Sequence, residues 1–470
     1  MLRHAGRKQP GVFCPCGFPA LAEKLHGWDR RSQAAPAQAV EPPMKKMLSS
    51  LLDPVELPRV FRYAQSFPDE RLDDVSTALA LAWEAATATR SVRPGMRVAL
   101  SVGSRGIAQL PELVAAIAAR VRACGAEPFV VPAMGSHGGA TAEGQKALLA
   151  VLGVTEASVG CPVLSCMETV EVGRLSNGMS VRMDRLAQEA DGIIVFNRVK
   201  PHNAFRAVNE SGLVKMLAIG LGKQTGADQC HRLGFGHIGR LIREMAALKI
   251  ERCPVLMGIG VVENAYEHLH SLFVAGPEEI VARDAEALQL ARALMPCLPC
   301  GQLDLLLVDR IGKEFSGGGM DGNITGRYST PFISGGPEIS KIVVFDVTKA
   351  SHGNANGVGL ADVITEALAA HYDRASVYAN CLTSRVTASG RLPVAMPDEN
   401  MALRAGFKVC CAPDPARPRF LRIPDTLHID RGYASEALLP ELASLSRVQI
   451  LSGPEPMRFG PDGRLEDPWW

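Results

Sequence analysis

The 470-residue sequence is poor in aromatic residues, which make up 5% of it. That scarcity disfavours a surface on which bases stack. Charge of one sign is also missing: 50 Lys and Arg stand against 49 Asp and Glu, for a formal net charge of +1. No electrostatic case for nucleic acid or an anionic membrane follows. No apolar run approaches the roughly 18 residues of a spanning helix. The first 43 residues are rich in Arg, Pro, Ala, Gln and Gly and lack the apolar core of a signal peptide. Residues 1–43 read as a disordered extension, or as a start placed too early, because "MKKMLSSLL" from Met44 looks like an ordinary beginning.

Two nucleotide signatures are absent. "GLGKQTG" at 220–226 puts Gln224 where a phosphate loop needs Ser or Thr. The stretch "SVGSRGIAQ" has no GxGxxG, so ordinary dinucleotide binding is disfavoured as well. A disulfide framework is missing too: the 12 cysteines are scattered through a long chain. Cys297 and Cys300 form a lone CxxC without two further zinc ligands at the usual spacing. Cys410 and Cys411 sit in an apolar run and read as small buried hydrophobes. A reduced, cytoplasmic protein is the expectation.

What is present is an α/β pattern. Hydrophobic residues make up 47% and charged residues 21%, an ordinary globular balance. "RVALSV" (97–102) is followed by a stretch in which Leu110, Leu113, Val114, Ile117 and Val121 keep helical spacing, and then by "PFVVPA" (128–133). Such a strand–helix–strand unit predicts parallel pairing with a right-handed crossover. Further strands are predicted at 192–197, 254–262, 304–309, 341–348 and 407–412, with helices near 141–152, 236–248, 277–295 and 360–370. The composition shifts at 295–302, which sets a boundary. The expected architecture is α/β in two domains: an N-terminal Rossmann-like parallel-sheet domain over 44–297 and a smaller mixed α/β domain over 298–445. Residues 446–470 are expected to pack back on the first domain, and the active site to lie in the cleft between the two.

Ligands of open parallel sheets bind beyond the carboxyl ends of the strands. Three loops stand at such ends: "GSRG" with Arg105, "MGSHGG" with His137, and "RVKPHN" with His202. A lone loop histidine is more often a solvated or capping residue, and His4, His26, His237 and His428 are read that way. Three polar groups at successive strand ends are a stronger signal. "IGKEFSGGG" (311–319) and "SHGNANGVG" (351–359) read equally as tight turns and as cleft lining, so Lys313 and His352 receive no role.

The stretch "KPHNAFRAVNESGLVKMLAIGLGKQTGADQCHR" (200–232) holds His202, Lys215 and His231. His231 lies sixteen residues after Lys215, and His202 thirteen before it. With "GSHGG" and "SRGIAQLP", this pattern resembles the lactate racemase family of nickel-pincer-dependent 2-hydroxy-acid racemases and epimerases. The resemblance covers about 90–330, and the rest more loosely. It implies that Lys215 carries the cofactor, a pyridinium-3,5-bisthiocarboxylic acid mononucleotide, through a thioamide bond. One carbon and two sulfurs of that nickel-pincer nucleotide would hold nickel, with His231 as the fourth ligand. Square-planar Ni(II) accepts sulfur and imidazole together. His137 and His202 would flank the substrate as acid and base. Arg105 would bind the cofactor or a carboxylate, which suits its planar fork. Separate cofactor-synthesis enzymes would be needed in the same cell.

Two histidines suit this chemistry. Hydride can leave carbon only as the hydroxyl is deprotonated, and it returns to the other face of a planar 2-keto acid. Each enantiomer then needs its own base, a role that imidazole fills near neutral pH. The sequence departs from lactate racemase in places. Val102 stands three residues before the loop arginine, where the family has an acidic residue. In "GGGMDGNITGRYS" (317–329), Asp321 and Asn323 match a family loop, while Gly326 and Ser329 replace a substrate-binding glutamine and lysine. Arg327 is a candidate replacement carboxylate anchor. These departures point to a 2-hydroxy acid other than lactate. The competing readings are a non-catalytic anion- or hydroxy-acid-binding module on the same fold and, more remotely, a nicotinamide-dependent dehydrogenase.

Overall fold

A computed structural model describes residues 42–466. The reading of residues 1–43 therefore lies outside the described residues, save that Pro42 and Pro43 begin a helix, Pro42–Leu52. No described helix is long and apolar enough to cross a membrane.

The α/β expectation is met by two sheets and a small hairpin. The smaller sheet has five strands in the order Glu127–Pro132, Arg97–Val102, Gly192–Arg198, Val255–Glu263, Leu269–Ala275. The first four are parallel and the last is antiparallel. Alternation along Arg97–Val102 sends Val98, Leu100 and Val102 to one face and Ala99 to the other. Helices Val75–Ala85 and Leu110–Ala123 cover the first face. Helix Phe235–Arg252 and the segment around Leu213–Leu221 cover the second. A parallel sheet buried on both faces reads as near-continuous apolar runs, which is why these strands were visible in the sequence. The chain runs from strand Arg97–Val102 outward to Glu127–Pro132, then crosses back to Gly192–Arg198 on the other side. That reversal opens a crevice at the carboxyl ends of Arg97–Val102 and Gly192–Arg198.

The larger sheet has eight strands: Val394–Met396, Val363–Thr365, Glu338–Val347, Gln302–Ile311, Phe420–Ile423, Arg431–Ser435, Val60–Gln65 and Val448–Ile450. The first five are parallel, and the remaining three are added antiparallel. Three expectations are corrected here. Strand Val60–Gln65 belongs to this larger sheet, so the chain begins in the second unit and only then builds the first. Strand Val448–Ile450 pairs with Val60–Gln65, so the C-terminal segment extends the same larger sheet. The apolar run 407–412 is not a strand, and its first half, 407–409, is the end of a helix: helix Glu399–Val409 starts where the Asp398 carboxylate accepts the Met401 N–H at 2.8 Å, and it buries Met401, Ala402, Leu403, Ala405 and Gly406. A short apolar run cannot separate a strand from the end of a buried helix. Likewise, 360–370 divides into strand Val363–Thr365 and helix Glu366–His371.

Candidate active site

Arg105, His137 and His202 follow the carboxyl ends of strands Arg97–Val102, Glu127–Pro132 and Gly192–Arg198. Lys215 closes a short helical turn, Leu213–Lys215. A π-helical turn, Met216–Gly220, follows, and helix Lys223–His231 then ends on His231. The sixteen-residue spacing thus encloses one π turn and one helix.

The start of this segment is held from elsewhere in the chain. Asp284, on helix Ile280–Ala293, accepts the Leu213 N–H at 2.5 Å and an amide N–H of Asn209 at 2.9 Å. Gly212 is required for this approach, because a Cβ there would lie 2.0 Å from the Asp284 Oδ1. Burial raises the Asp284 pKa to about 6.

The loop carrying His202 folds around Glu210, whose side chain is wholly buried. Glu210 accepts the His202 N–H at 2.7 Å and the Ala207 N–H at 3.0 Å, and it pairs with Arg292 at 2.6 Å. The Nδ1 of His202 accepts the Ala204 N–H at 3.0 Å. That bond fixes the tautomer: Nδ1 carries no proton, so Nε2 carries it. The ring packs on Phe205 and Phe235, with centroids at 4.6 and 6.0 Å. Burial first, and then the charges of Lys215, His231 and Lys200, hold its pKa well below 6.5.

The Nδ1 of His137 lies 2.5 Å from the Ser104 Oγ. A hydroxyl both donates and accepts, so Ser104 serves either tautomer. Desolvation within the cleft, and then the cations of Arg105, Lys215 and Lys313, hold His137 well below its ordinary value.

Lys215 is half-buried, and among the described residues no hydrogen bond or ion pair holds its Nζ. Burial, and then Arg105, lower its pKa to about 8. The Nδ1 of His231 is buried without a hydrogen-bond partner, and burial followed by the Lys215 charge lowers this ring to about 4. His231 also touches Phe235 edge-on at 5.4 Å, on the same ring that backs His202. Among the described residues no three His, Cys, Asp or Glu side chains converge as a metal cage. A metal held at His231 would have to bring most of its ligands with it.

The cleft is strongly cationic. Arg198 pairs with Glu263, and Arg206 with Glu210. Arg105, Lys200 and Lys215 have no carboxylate ion pair among the described residues, and Lys313 reaches only the Gly317 carbonyl at 2.9 Å and the Asn380 Oδ1 at 2.8 Å. The second unit closes the cleft from the far side. A Cβ at Gly317 would lie 2.9 Å from the Arg105 guanidinium, and the Asn203 amide donates to the Ser316 Oγ at 3.0 Å.

Asp321 and Asn323 stand in this closing loop but face protein groups. Asp321 caps helix Gly322–Thr325, and Asn323 bonds Asp321 at 2.8 Å, Arg206 at 2.5 Å and the His202 carbonyl at 3.4 Å. Arg327 is not brought to the cluster. Its guanidinium bonds Asp362 at 2.5 Å, the Leu360 carbonyl at 3.1 Å and the Ser340 carbonyl at 2.5 Å, within the second unit. The Gly-Lys pair at 222–223 is structural: Lys223 is wholly buried and pairs with Asp184 at 2.9 Å.

The lactate racemase N-terminal domain model matches residues 45–239. Over those residues the chain is similar to the lactate racemase N-terminal domain. The matched span contains Arg105, His137, His202, Lys215 and His231, while Lys313, Asp321, Asn323 and Arg327 lie beyond it. Among solved structures, the lactate racemase apoprotein from Thermoanaerobacterium thermosaccharolyticum is similar, with a TM-score of 0.48 and 14% identity. That match covers 79% of this chain and 99% of the other. No curated protein matches.

The sequence reading missed residues that hold the site together. Ser104, Glu210 and Asp284 left no signal, because each is an ordinary polar residue whose partner is fixed only by folding. Lys313 was visible as a lysine in a glycine-rich stretch, but nothing in the chain tied it to Arg105 and His137.

Proposed function

We propose that this protein is a nickel-pincer-dependent isomerase, a racemase or epimerase of a 2-hydroxy acid. The observation that carries the reading is the pairing of an amine at Lys215 with a buried nitrogen at His231, both without a partner among the described residues, flanked by His137 and His202 in one cationic cleft. The donor set fits the cofactor: one amine for a covalent tether and one imidazole for a metal that carries its other ligands itself. A pKa of about 8 leaves part of the Lys215 population as the nucleophilic free amine near neutral pH. When bound, the nickel-pincer nucleotide supplies the centre that accepts and returns hydride.

The protein's part is binding, orientation and proton movement. Arg105, Lys200 and Lys313 supply positive charge for a substrate carboxylate, with the guanidinium of Arg105 offering a two-pronged contact. His137 and His202 are both neutral near pH 7, because the cleft disfavours their charged forms. With its Nδ1–H on Ser104, His137 presents a free Nε2 that takes the proton of the substrate hydroxyl. His202 presents Nε2–H, a donor to the oxygen of the developing 2-keto acid. For the reverse enantiomer, Ser104 can turn its hydroxyl to serve the other tautomer of His137. His202 must first release the Ala204 N–H.

The test is turnover of enantiopure 2-hydroxy acids by protein made in a host that also makes the cofactor. Loss of optical activity or a change in diastereomer ratio, without net oxidation, supports the proposal. Binding of hydroxy acids with no turnover would move the binding-module reading to the front.

A further inference from the structure

We infer that Lys249 is a positioning residue for Lys215: it clamps the π-helical turn that aims the Lys215 amine into the cleft. The inference rests on the reading of Lys215 as the functional amine. In an α-helix the Leu217 carbonyl would receive the N–H of Leu221. Here the Leu221 N–H bonds the Met216 carbonyl at 2.9 Å, five residues back. The Leu217 carbonyl is left over inside the protein, where an unpaired acceptor is costly. Lys249, on helix Phe235–Arg252, fills that vacancy: its Nζ lies 2.7 Å from the Leu217 carbonyl and 3.4 Å from the Ala218 carbonyl. Lys249 has no exposed surface and forms no ion pair among the described residues.

A lysine is otherwise a poor choice for this place. Burial pulls its pKa down to about 7, so the fold works against its charge. An apolar residue there would fill the space but leave the carbonyl unmet. A π turn inserts one residue into a helix and rotates everything before it relative to everything after it. The clamp at Leu217 and Ala218 therefore fixes the direction of Lys215 relative to helix Lys223–His231, and so relative to His231. On the other side of the same segment, Lys223 donates to the Pro132 carbonyl at 2.5 Å and to Gln145 at 3.0 Å. Lys223 thus ties the segment to the strand that leads to His137.

The test uses the full chain without cofactor or nickel. The rate at which an amine-directed acylating reagent labels Lys215 is followed against pH by peptide mass, with exposed Lys146 as the internal reference. In the wild type the labelling midpoint for Lys215 is expected at about 8. In Lys249→Met the turn loosens and water enters, so the midpoint should rise towards the ordinary 10.5. Lys249→Gln keeps an N–H donor and should restore most of the shift. A folded Lys249→Met with the midpoint still at about 8 would overturn the inference. If Lys249→Met does not fold, Lys249→Gln is compared with Lys249→Ser, which is too short to reach either carbonyl, and equal midpoints in those two would overturn it as well. Failure of the isomerase reading would appear separately, as wild-type protein that takes up no cofactor while its Lys215 midpoint remains low.

Discussion

The amine of Lys215 lies among Arg105 and Lys200 with no partner among the described residues, and the two catalytic candidates flank it in different states. His202 has its tautomer set by a backbone N–H, whereas His137 rests on a hydroxyl that can turn. His137→Ala and His202→Ala should each lower kcat by about 10²- to 10⁴-fold, the usual loss for a general acid or base, as measured by polarimetry. Ser104→Ala removes one hydrogen bond from a base that stays in place. It should cost on the order of tenfold in kcat, corresponding to about 1.4 kcal/mol. An unchanged rate in Ser104→Ala would mean that His137 is oriented by other groups. Arg105, His137 and His202 stood out in the sequence as polar groups at the ends of predicted strands, and Lys215 and His231 through the family resemblance. Lys249 did not, because it reads there as one more polar residue on an amphipathic helix.

At the scale of elements, the loop from His202 to Glu210 folds around its own buried acid, Glu210, and the turn from Leu213 to Gly220 starts on Asp284, a buried acid from helix Ile280–Ala293. Glu210→Ala removes the acceptor of the His202 N–H and leaves Arg292 and Arg206 uncompensated. Breaking a buried ion pair on one side costs about 3 kcal/mol, and urea unfolding should detect a loss of that size. The same variant should lose activity beyond its loss of stability, because the His202 loop is then free to shift. The strands of the smaller sheet could be read from the sequence because both of their faces are buried. Strand Val60–Gln65 could not, because its sequence mixes charged and apolar residues and its partners, Arg431–Ser435 and Val448–Ile450, lie hundreds of residues away. The run at 407–412 misled because apolar density alone carries no period.

For the whole molecule, the buried cationic groups set the dependence of stability on pH. The unfolded chain takes up protons on His202 and His231 near pH 6.5, but the folded chain holds His231 neutral down to about 4 and His202 to well below 6.5. The unfolded state binds more protons in that window, so stability falls as pH falls below 6.5, by up to about 1.4 kcal/mol per pH unit for each group. Asp284 acts in the opposite sense below about 6, since its carboxyl stays protonated longer in the folded chain. Above neutrality, Lys249 and Lys215 titrate at about 7 and 8 in the folded chain and at 10.5 when exposed, so stability keeps rising with pH. The rise should stop near pH 9.0, where the buried thiols of Cys230 and Cys300, pushed up to about 12, begin to oppose it. Urea midpoints across pH 5–9 should therefore rise throughout, and a maximum below pH 7 would contradict this assignment of buried neutral groups.

The central claim is that Lys215 and His231 hold one cofactor between them. The most direct measurement is the intact mass of protein made in a host that loads a known lactate racemase family member, beside Lys215→Ala and His231→Ala. The account predicts a cofactor-sized adduct on the wild type and none on Lys215→Ala. It also predicts an adduct on His231→Ala that retains the organic mass but loses nickel. Wild-type protein without an adduct, or an adduct that survives in Lys215→Ala, would contradict it.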